Sequence, residues 1–461
     1  MQHSQIDKKL IITVTALAVL TFMGIFSETS LSVAAPVLMK EFNVSAVAVQ
    51  WLTSGFMLLL ASAIPLSPFL IKKFPTKKLF QAAVIIFLTG TITGVCAGNF
   101  ITLLAGRLIM ALGIGCSLPL LTNIVLEEAK PENRGFLFGI VGLIVNCAPV
   151  AGPVAGGFIT DILNWRWTLL IMIPLLILSF FMGSYSIKDI RKNNTPAPRL
   201  SIISVVISTL GLTSFITGLS ILAYSLYLGI LLTFISIIFL VIFMKLQYYI
   251  DYPVINMEVL KYTMFTAGVI AACIPMICVL AQAFLFPITA QNGLLKSPSY
   301  TSLLIFPGSL ISGVMAVIMG KLYSKYGIRK FAITGYIILN ISLLYLIYKD
   351  MSDILILTGY TAFLAGSALI FVPMQTNTLN ALPADLNADG AAVLNTLLQI
   401  AGAIGTTMAS VLLSYGIKLN SNIEYSKSVI AGSMYPLVFC LSLTILGLLI
   451  ALTIRTTLKN T

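Results

Sequence analysis

Residues 10–36 read LIITVTALAVLTFMGIFSETSLSVAAP, an apolar run with one carboxylate, Glu28, inside it. A helix crosses the hydrocarbon core of a bilayer in about 20 residues, so the run is long enough to span. It is too long for the apolar region of a signal peptide and shows no small-residue cleavage site ahead of Glu28. It therefore reads as a retained first helix. A carboxylate at that depth costs about 2.5 kcal/mol or more, and such residues face a bundle interior or a water-filled cavity. No other Asp or Glu lies as deep in any apolar run of the chain. Glu28 is the leading candidate for a proton- or cation-coupling site.

The rest of the chain repeats the theme. Of 461 residues, 58% are hydrophobic and 9% charged, against about 25% charged in a soluble domain. Fourteen spans are expected, near 10–36, 46–71, 79–98, 101–126, 135–160, 167–187, 201–221, 226–248, 263–290, 299–320, 330–348, 354–379, 390–416 and 431–454. They lack strand alternation, so each is read as a helix that satisfies its own backbone in lipid. The fold class is an all-α polytopic membrane protein with no sizeable soluble domain. The net charge of +12 does not point to nucleic acid, because Lys and Arg sit in short loops rather than in one basic surface. The six cysteines show no CxxC or zinc spacing, and the only histidine, His3, lies in the polar N-terminal tail. No metal or other cofactor is called for, and no catalytic constellation marks an enzyme.

Loop charge sets the orientation. One alternate set of loops holds Lys8 and Lys9, Lys72 to Lys78, Lys130 and Arg134, Lys188 to Arg199, Lys245 and Lys261, Lys321 to Lys330, and Arg455 and Lys459. The other holds only Lys40, Arg166, Lys296, Lys349, Lys418 and Lys427. The positive-inside rule then places both termini in the cytoplasm of a multi-pass plasma-membrane protein. The hairpin Lys73-Phe74-Pro75-Thr76-Lys77-Lys78-Leu79 is echoed by Lys325-Tyr326-Gly327-Ile328-Arg329-Lys330-Phe331, 252 residues on. Six spans with loops take roughly 180–200 residues, which leaves room for two more helices. The expected organisation is a six-helix bundle over 1–192, two inserted helices over 193–260 and a second six-helix bundle over 261–461. The inserted pair is expected at the periphery, away from a central cavity. Short basic loops can also look alike by chance.

Three constellations carry candidate chemistry. Arg107, in the fourth span, lies about 12 Å below Asn99 at 1.5 Å per residue, at a depth similar to that of Glu28. The pair reads as an ion pair or shared proton network, or else as a packing pair. In the fifth span Pro149 and Pro153, and Gly152 and Gly156, recur one turn apart with Gly157 beside them. This is a kinkable stripe that lets another helix approach, or an ordinary small-residue packing face. Gln282 and Phe286 share a face of the ninth span, and Asn395, Gln399 and Gly402 share one of the thirteenth. These suit a cavity for amphipathic solutes, or interhelical hydrogen bonding. Trp51 and Phe56 are further cavity candidates, with an interfacial aromatic belt as the plainer reading.

These residues resemble a family. Arg107 with Gly113-x-Gly115 resembles motif B of the major facilitator superfamily. Gly142 through Pro149-x-x-Gly152-Pro153-x-x-Gly156-Gly157 resembles motif C, the antiporter motif. Gly320-x-Leu322-x-Ser324-Lys325-x-Gly327-x-Arg329-Lys330 resembles motif A, a cytoplasmic gating loop, and Val49-Gln50-Trp51-Leu52-Thr53 and Trp165-Arg166-Trp167 also fit. With 14 spans the whole chain is similar to the drug:proton antiporter family with 14 helices, including its quinolone-type multidrug efflux pumps. The resemblance implies a major facilitator fold and a monomer in the lipid bilayer that exchanges protons for amphipathic drugs. It also implies that Glu28 and Arg107 take part in proton coupling. The chain departs from the pattern at the first basic hairpin, where Lys72 and Pro75 stand for an acid and a glycine. It departs again in the thirteenth span, where Asn395 and Gln399 stand where some relatives carry an acid. The alternative function is transport of one physiological solute or a tetracycline-like metal chelate. A non-transporting receptor is a third class. An ATP-driven pump is disfavoured, since no GxxxxGK[ST] loop is present.

Overall fold

A computed structural model describes residues 8–129, 131–188, 201–222, 224–250, 257–348, 352–383 and 386–454. For some residues inside helices, among them Lys72, Asn146 and Lys325, it describes the backbone alone. His3, Arg191, Lys192 and Arg199 lie outside the described residues.

The first span is one long helix, α1 (Lys8–Phe42). The second is segmented into α2 (Ala46–Val49), α3 (Trp51–Ala63), a 3-10 turn (Ile64–Leu66) and α4 (Ser67–Lys73). The tighter turn falls where Pro65 and Pro68 remove backbone donors from the helical ladder. Next come α5 (Thr76–Val95), α6 (Phe100–Ile114), α7 (Ser117–Glu128) and α8 (Pro131–Ile162). They are followed by α9 (Trp165–Leu170), α10 (Met172–Ser186), α11 (Ile202–Ile221) and α12 (Leu226–Tyr249). A 3-10 turn (Met257–Lys261) leads into α13 (Thr263–Ile288), prolonged by a π turn (Thr289–Gly293). The chain closes with α14 (Pro298–Tyr326), α15 (Ile328–Tyr348), α16 (Asp353–Asn380), α17 (Asn387–Leu419) and α18 (Tyr425–Thr453). Polar side chains cap helices where they start: Asn99 accepts from the Thr102 amide at 2.9 Å, and Asn164 accepts from that of Arg166 at 2.9 Å.

Thirteen helical stretches among the described residues are long and apolar enough to cross a membrane. The 32-residue α8, whose described apolar part is Cys147–Ile162, makes the fourteenth. The fourth span is broken between α6 and α7 at Gly115 and Cys116, and the sixth between α9 and α10 at Ile171.

Packing follows two matching patterns. In the first group α1 packs on α8 and α10, α5 on α6 and α10, and α3 on α6. In the second, α13 packs on α17 and α18, α15 on α16 and α18, and α14 on α16. The crossings between the groups also match: α8 lies on α14, and α3 lies on α17. The inserted pair departs in part from the expected periphery. Helix α12 packs on α11 and otherwise presents exposed side chains such as Leu226, Phe234 and Tyr249. Helix α11, by contrast, lies on the α3–α17 seam, where Leu212 and Ile216 join Met57, Leu58 and Ala403 in one buried cluster.

The two basic hairpins turn differently. Between α4 and α5, Pro75 is extended at φ −56° and ψ 133°. Between α14 and α15, Gly327 sits at φ 71°, a left-handed conformation that a Cβ disfavours by about 1–2 kcal/mol. Gly327→Ala is therefore expected to lower thermal stability by about 1 kcal/mol. Gly98→Ala, with nothing within 4 Å of the added Cβ, should leave it unchanged. Thermal unfolding of purified variants in one detergent checks both.

Candidate functional site

Arg107 is fully buried on α6. Its Nη1 donates to Ser27 Oγ at 2.6 Å, and its Nε donates to the Leu52 carbonyl at 3.2 Å. The guanidinium carbon stands 4.3 Å from the centroid of the Phe56 ring, a placement that stabilises a desolvated cation. Its Nη2 has no partner. Thus α1, α3 and α6 together fix the cation.

Glu28 follows Ser27 on α1 and is half-buried. Among the described residues it has no hydrogen-bond or ion-pair partner. Arg107 lies close by on α6, bonded to Ser27, the residue before Glu28. The sequence places these two residues at one depth. The structure brings them near each other without closing the ion pair, because Arg107 turns to the neighbouring serine hydroxyl and a backbone carbonyl. Ser27 is the residue that sequence reasoning missed. Its signal was only adjacency to Glu28.

The other candidates divide. Phe56 is buried beneath Arg107. Gln282 is fully buried on α13 with both side-chain polar atoms unpartnered. Phe286, one turn on, meets Tyr360 of α16 edge-on at 4.9 Å. On α17 the Gln399 Oε1 is unpartnered, whereas Asn395 Nδ2 donates to the Ala391 carbonyl of its own helix at 2.9 Å. Unpartnered buried amides are costly unless a solute or water meets them, so Gln282 and Gln399 fit a ligand-facing wall better than Asn395 does. Trp51 lies elsewhere. It lines a lateral cavity of about 360 Å³ with Val47, Phe100, Leu104, Thr217 of α11 and Tyr224 in the turn after α11.

The proline–glycine stripe of α8 is a double contact. A Cβ on Gly156 would lie 2.7 Å from the Ser30 carbonyl oxygen of α1, and one on Gly152 would enter the Thr29 side chain. A Cβ on Gly157 would lie 2.6 Å from the Pro298 carbonyl oxygen of α14. Pro153 is buried, and its carbonyl accepts from Ser302 Oγ at 2.6 Å, while Pro149 is exposed. The stripe therefore lets α8 lie between α1 and α14.

This end of the bundle, which carries Lys40 and Lys418, is fastened across the two groups. Gln291 Nε2 donates to the Val33 carbonyl at 2.8 Å, and Ser299 bonds Asp161. Arg166 pairs with Glu41 at 2.8 Å and donates to the Ala97 carbonyl at 2.9 Å, while Trp165 Nε1 donates to Glu41 at 2.6 Å. Lys296 pairs with Asp353 at 2.8 Å, and that hydrogen bond raises its ammonium above the ordinary lysine range. At the opposite end Arg329 and Lys330 are exposed beside Gly327. The surroundings of Gly320 and Lys325 lie outside the described residues.

Comparison with known proteins gives one consistent result. The model of the Major Facilitator Superfamily matches residues 17–406. The chain is 32% identical over 443 residues to the lincomycin resistance protein LmrB of Bacillus subtilis, covering 93% of this chain and 92% of that protein. It is 24% identical over 415 residues to the multidrug export protein EmrB of Haemophilus influenzae, covering 87% and 80%. The fold is that of an inward-facing bacterial homolog of the human lysosomal transporter Spinster (TM-score 0.73, 12% identity, 97% of each chain). It is also that of the xylose transporter XylE from E. coli (TM-score 0.67, 11% identity, 99% of this chain and 100% of that one).

Gly156→Leu is expected to force α1 and α8 apart at a cost of about 1–3 kcal/mol, the range for overpacking a filled interface. Pro149→Ala, at an exposed position of the same stripe, should cost far less. Thermal unfolding and chromatographic monodispersity of the two variants check the difference.

Proposed function

We infer that this chain, which belongs to the Major Facilitator Superfamily, exports amphipathic drugs by alternating access in exchange for protons. The observation that carries the reading is the asymmetry between its two membrane-embedded charges. Arg107 is held by Ser27, Leu52 and Phe56, whereas Glu28 is half-buried with no bond of its own. A fixed cation beside a free carboxylate suits a site that trades a proton for a cationic or zwitterionic solute. The names of the relatives, lincomycin resistance and multidrug export, support a drug as that solute, with quinolones and lipophilic cations as the chemistry that fits best.

In this reading the halves at 1–192 and 261–461 rock about a midplane cavity, with 193–260 inserted between them. Gln282, Phe286 and Gln399 form the polar and aromatic wall of that cavity opposite Glu28. The Lys40 end is the outer face and is closed, and both termini lie in the cytoplasm of a plasma-membrane monomer. The hairpin with Gly320, Lys325, Gly327, Arg329 and Lys330 is the cytoplasmic gating loop. Glu28 loses its proton when drug enters from the cytoplasm and regains one from outside after release. Nothing in this cycle calls for a cofactor or a chemical reaction on the solute.

The test is proton release on drug binding. Purified wild type in weakly buffered detergent, given lincomycin or tetraphenylphosphonium, is expected to release protons, and Glu28→Gln to release none. Equal release from both would make Glu28 structural and overturn the assignment. Competition between the two unrelated compounds separates a multidrug pump from a carrier of one solute.

A further inference from the structure

Two equivalent crossings between the helix groups are built differently. Where α8 meets α14, backbones touch directly, with Gly157 against Pro298 and Ser302 donating to the Pro153 carbonyl. Where α3 meets α17, Gly402 lies against the Met57 side chain, a buried amide hydrogen-bonds across the seam, and a third helix backs it. Gln50, between α2 and α3, is fully buried. Its Oε1 accepts from Thr407 Oγ1 of α17 at 3.2 Å, and its Nε2 donates to Ser220 Oγ of α11 at 3.2 Å. Ser220 spends its own proton on the Ile216 carbonyl at 2.8 Å, so its lone pairs are free to receive the amide. Ser45 and Tyr224 share a second hydrogen bond, of 2.7 Å, between the cap at the start of the second span and the turn that follows α11. Toward α17, in contrast, α11 presents apolar groups, with Leu212 and Ile216 facing Ala403 in a cluster with Met57 and Leu58.

We propose that Gln50 is a latch that closes the α3–α17 seam through Thr407, and that the inserted helix α11 serves to hold it. The polar bonds tie α11 to α3, while the apolar face lets α17 slide away. When the seam opens, the Gln50–Thr407 bond breaks and the Gln50–Ser220 bond stays. The amide keeps its orientation and one partner, which matters because a stranded amide in hydrocarbon is costly. Gln50 is thus a positioning residue that sets the balance between closed and open forms of this end without touching the solute. This rests on the alternating-access reading above. It gives the inserted pair a role that a lipid-facing spacer would not have.

The experiment measures that balance. Spin labels at Lys40→Cys and Lys418→Cys, both exposed at this end on opposite groups, report the separation in a chain freed of reactive native cysteines. A hydrogen bond between membrane helices is worth on average a shift of about threefold in such a ratio. Gln50→Leu and Thr407→Val are each expected to enrich the longer distance about threefold. The double variant should go no further, and Thr407→Ser should match wild type. Ser220→Ala should enrich the longer distance less than Gln50→Leu, and should lower turnover while drug affinity stays within about twofold. Thr407→Val preserves shape, so it keeps the test decisive if Gln50→Leu folds poorly. Unchanged distances in Gln50→Leu or Thr407→Val, or simple addition in the double variant, would overturn the latch, provided the wild-type distance responds to drug. A single wild-type distance under every drug and pH condition would overturn both the latch and alternating access.

Discussion

Hydrocarbon offers no hydrogen-bonding partner, and that absence governs the whole molecule. Each backbone group is satisfied inside its own helix, so helices meet through shape and a few polar side chains rather than through a solvent-driven core. Close approach then becomes the chief means of association. It is visible in the α8 stripe, where glycine hydrogens take the place of side chains against α1 and α14. Among the described residues, some polar groups that enter the interior are bonded and others are left without a partner. Arg107 illustrates the first outcome and Gln282 the second.

The same constraint explains why two crossings that occupy equivalent places in a repeated packing pattern differ. The seam made of small residues is closed by backbone contact and by short serine side chains, Ser302 to the Pro153 carbonyl and Ser299 to Asp161, and no third helix backs it with a polar bond among the described residues. A seam closed by a long amide exposes that amide to lipid whenever it parts. Helix α11, lying on the second seam, covers it with Leu212 and Ile216 and offers Ser220 as a standing acceptor. Helix α12 shields the outer side of α11 and shows most of its own surface to lipid.

Much of this architecture was legible in the sequence, because length and hydropathy are one-dimensional properties. The spans and their helical class follow from apolar runs, and the close-packed face of α8 from its glycine spacing. What was not legible concerns azimuth. Glu28 and Arg107 share a depth, which suggested a pair. Neighbouring helical residues, however, point roughly 100° apart, and it is Ser27 that faces the guanidinium. Azimuth also decided Trp51, which lines a lateral cavity beside α11 rather than the space near Phe56 and Arg107. Gln50 was visible only as a letter in a short motif, since its partners lie 170 and 357 residues away. The breaks at Pro65 and Pro68 are local, yet an apolar run containing prolines reads as continuous when only hydropathy is weighed.

The arrangement around Arg107 also bears on why one charge is fixed and the other left loose. A guanidinium keeps its charge across the accessible pH range and satisfies several acceptors at once. It can therefore be fastened permanently by Ser27, the Leu52 carbonyl and the Phe56 ring. Those anchors belong to α1 and α3, so the cation stays with its own helix group however the two groups move. In the proposed exchange cycle, a carboxylate fastened in the same way would lose its capacity to exchange. A tight Glu28–Arg107 bridge would hold Glu28 ionised and would have to be broken before a proton or a cationic solute could bind. Turning the guanidinium toward Ser27 leaves the Glu28 carboxylate oxygens without a bond to it among the described residues. The serine one residue before the acid takes the bond that a membrane-embedded arginine would otherwise make to that acid.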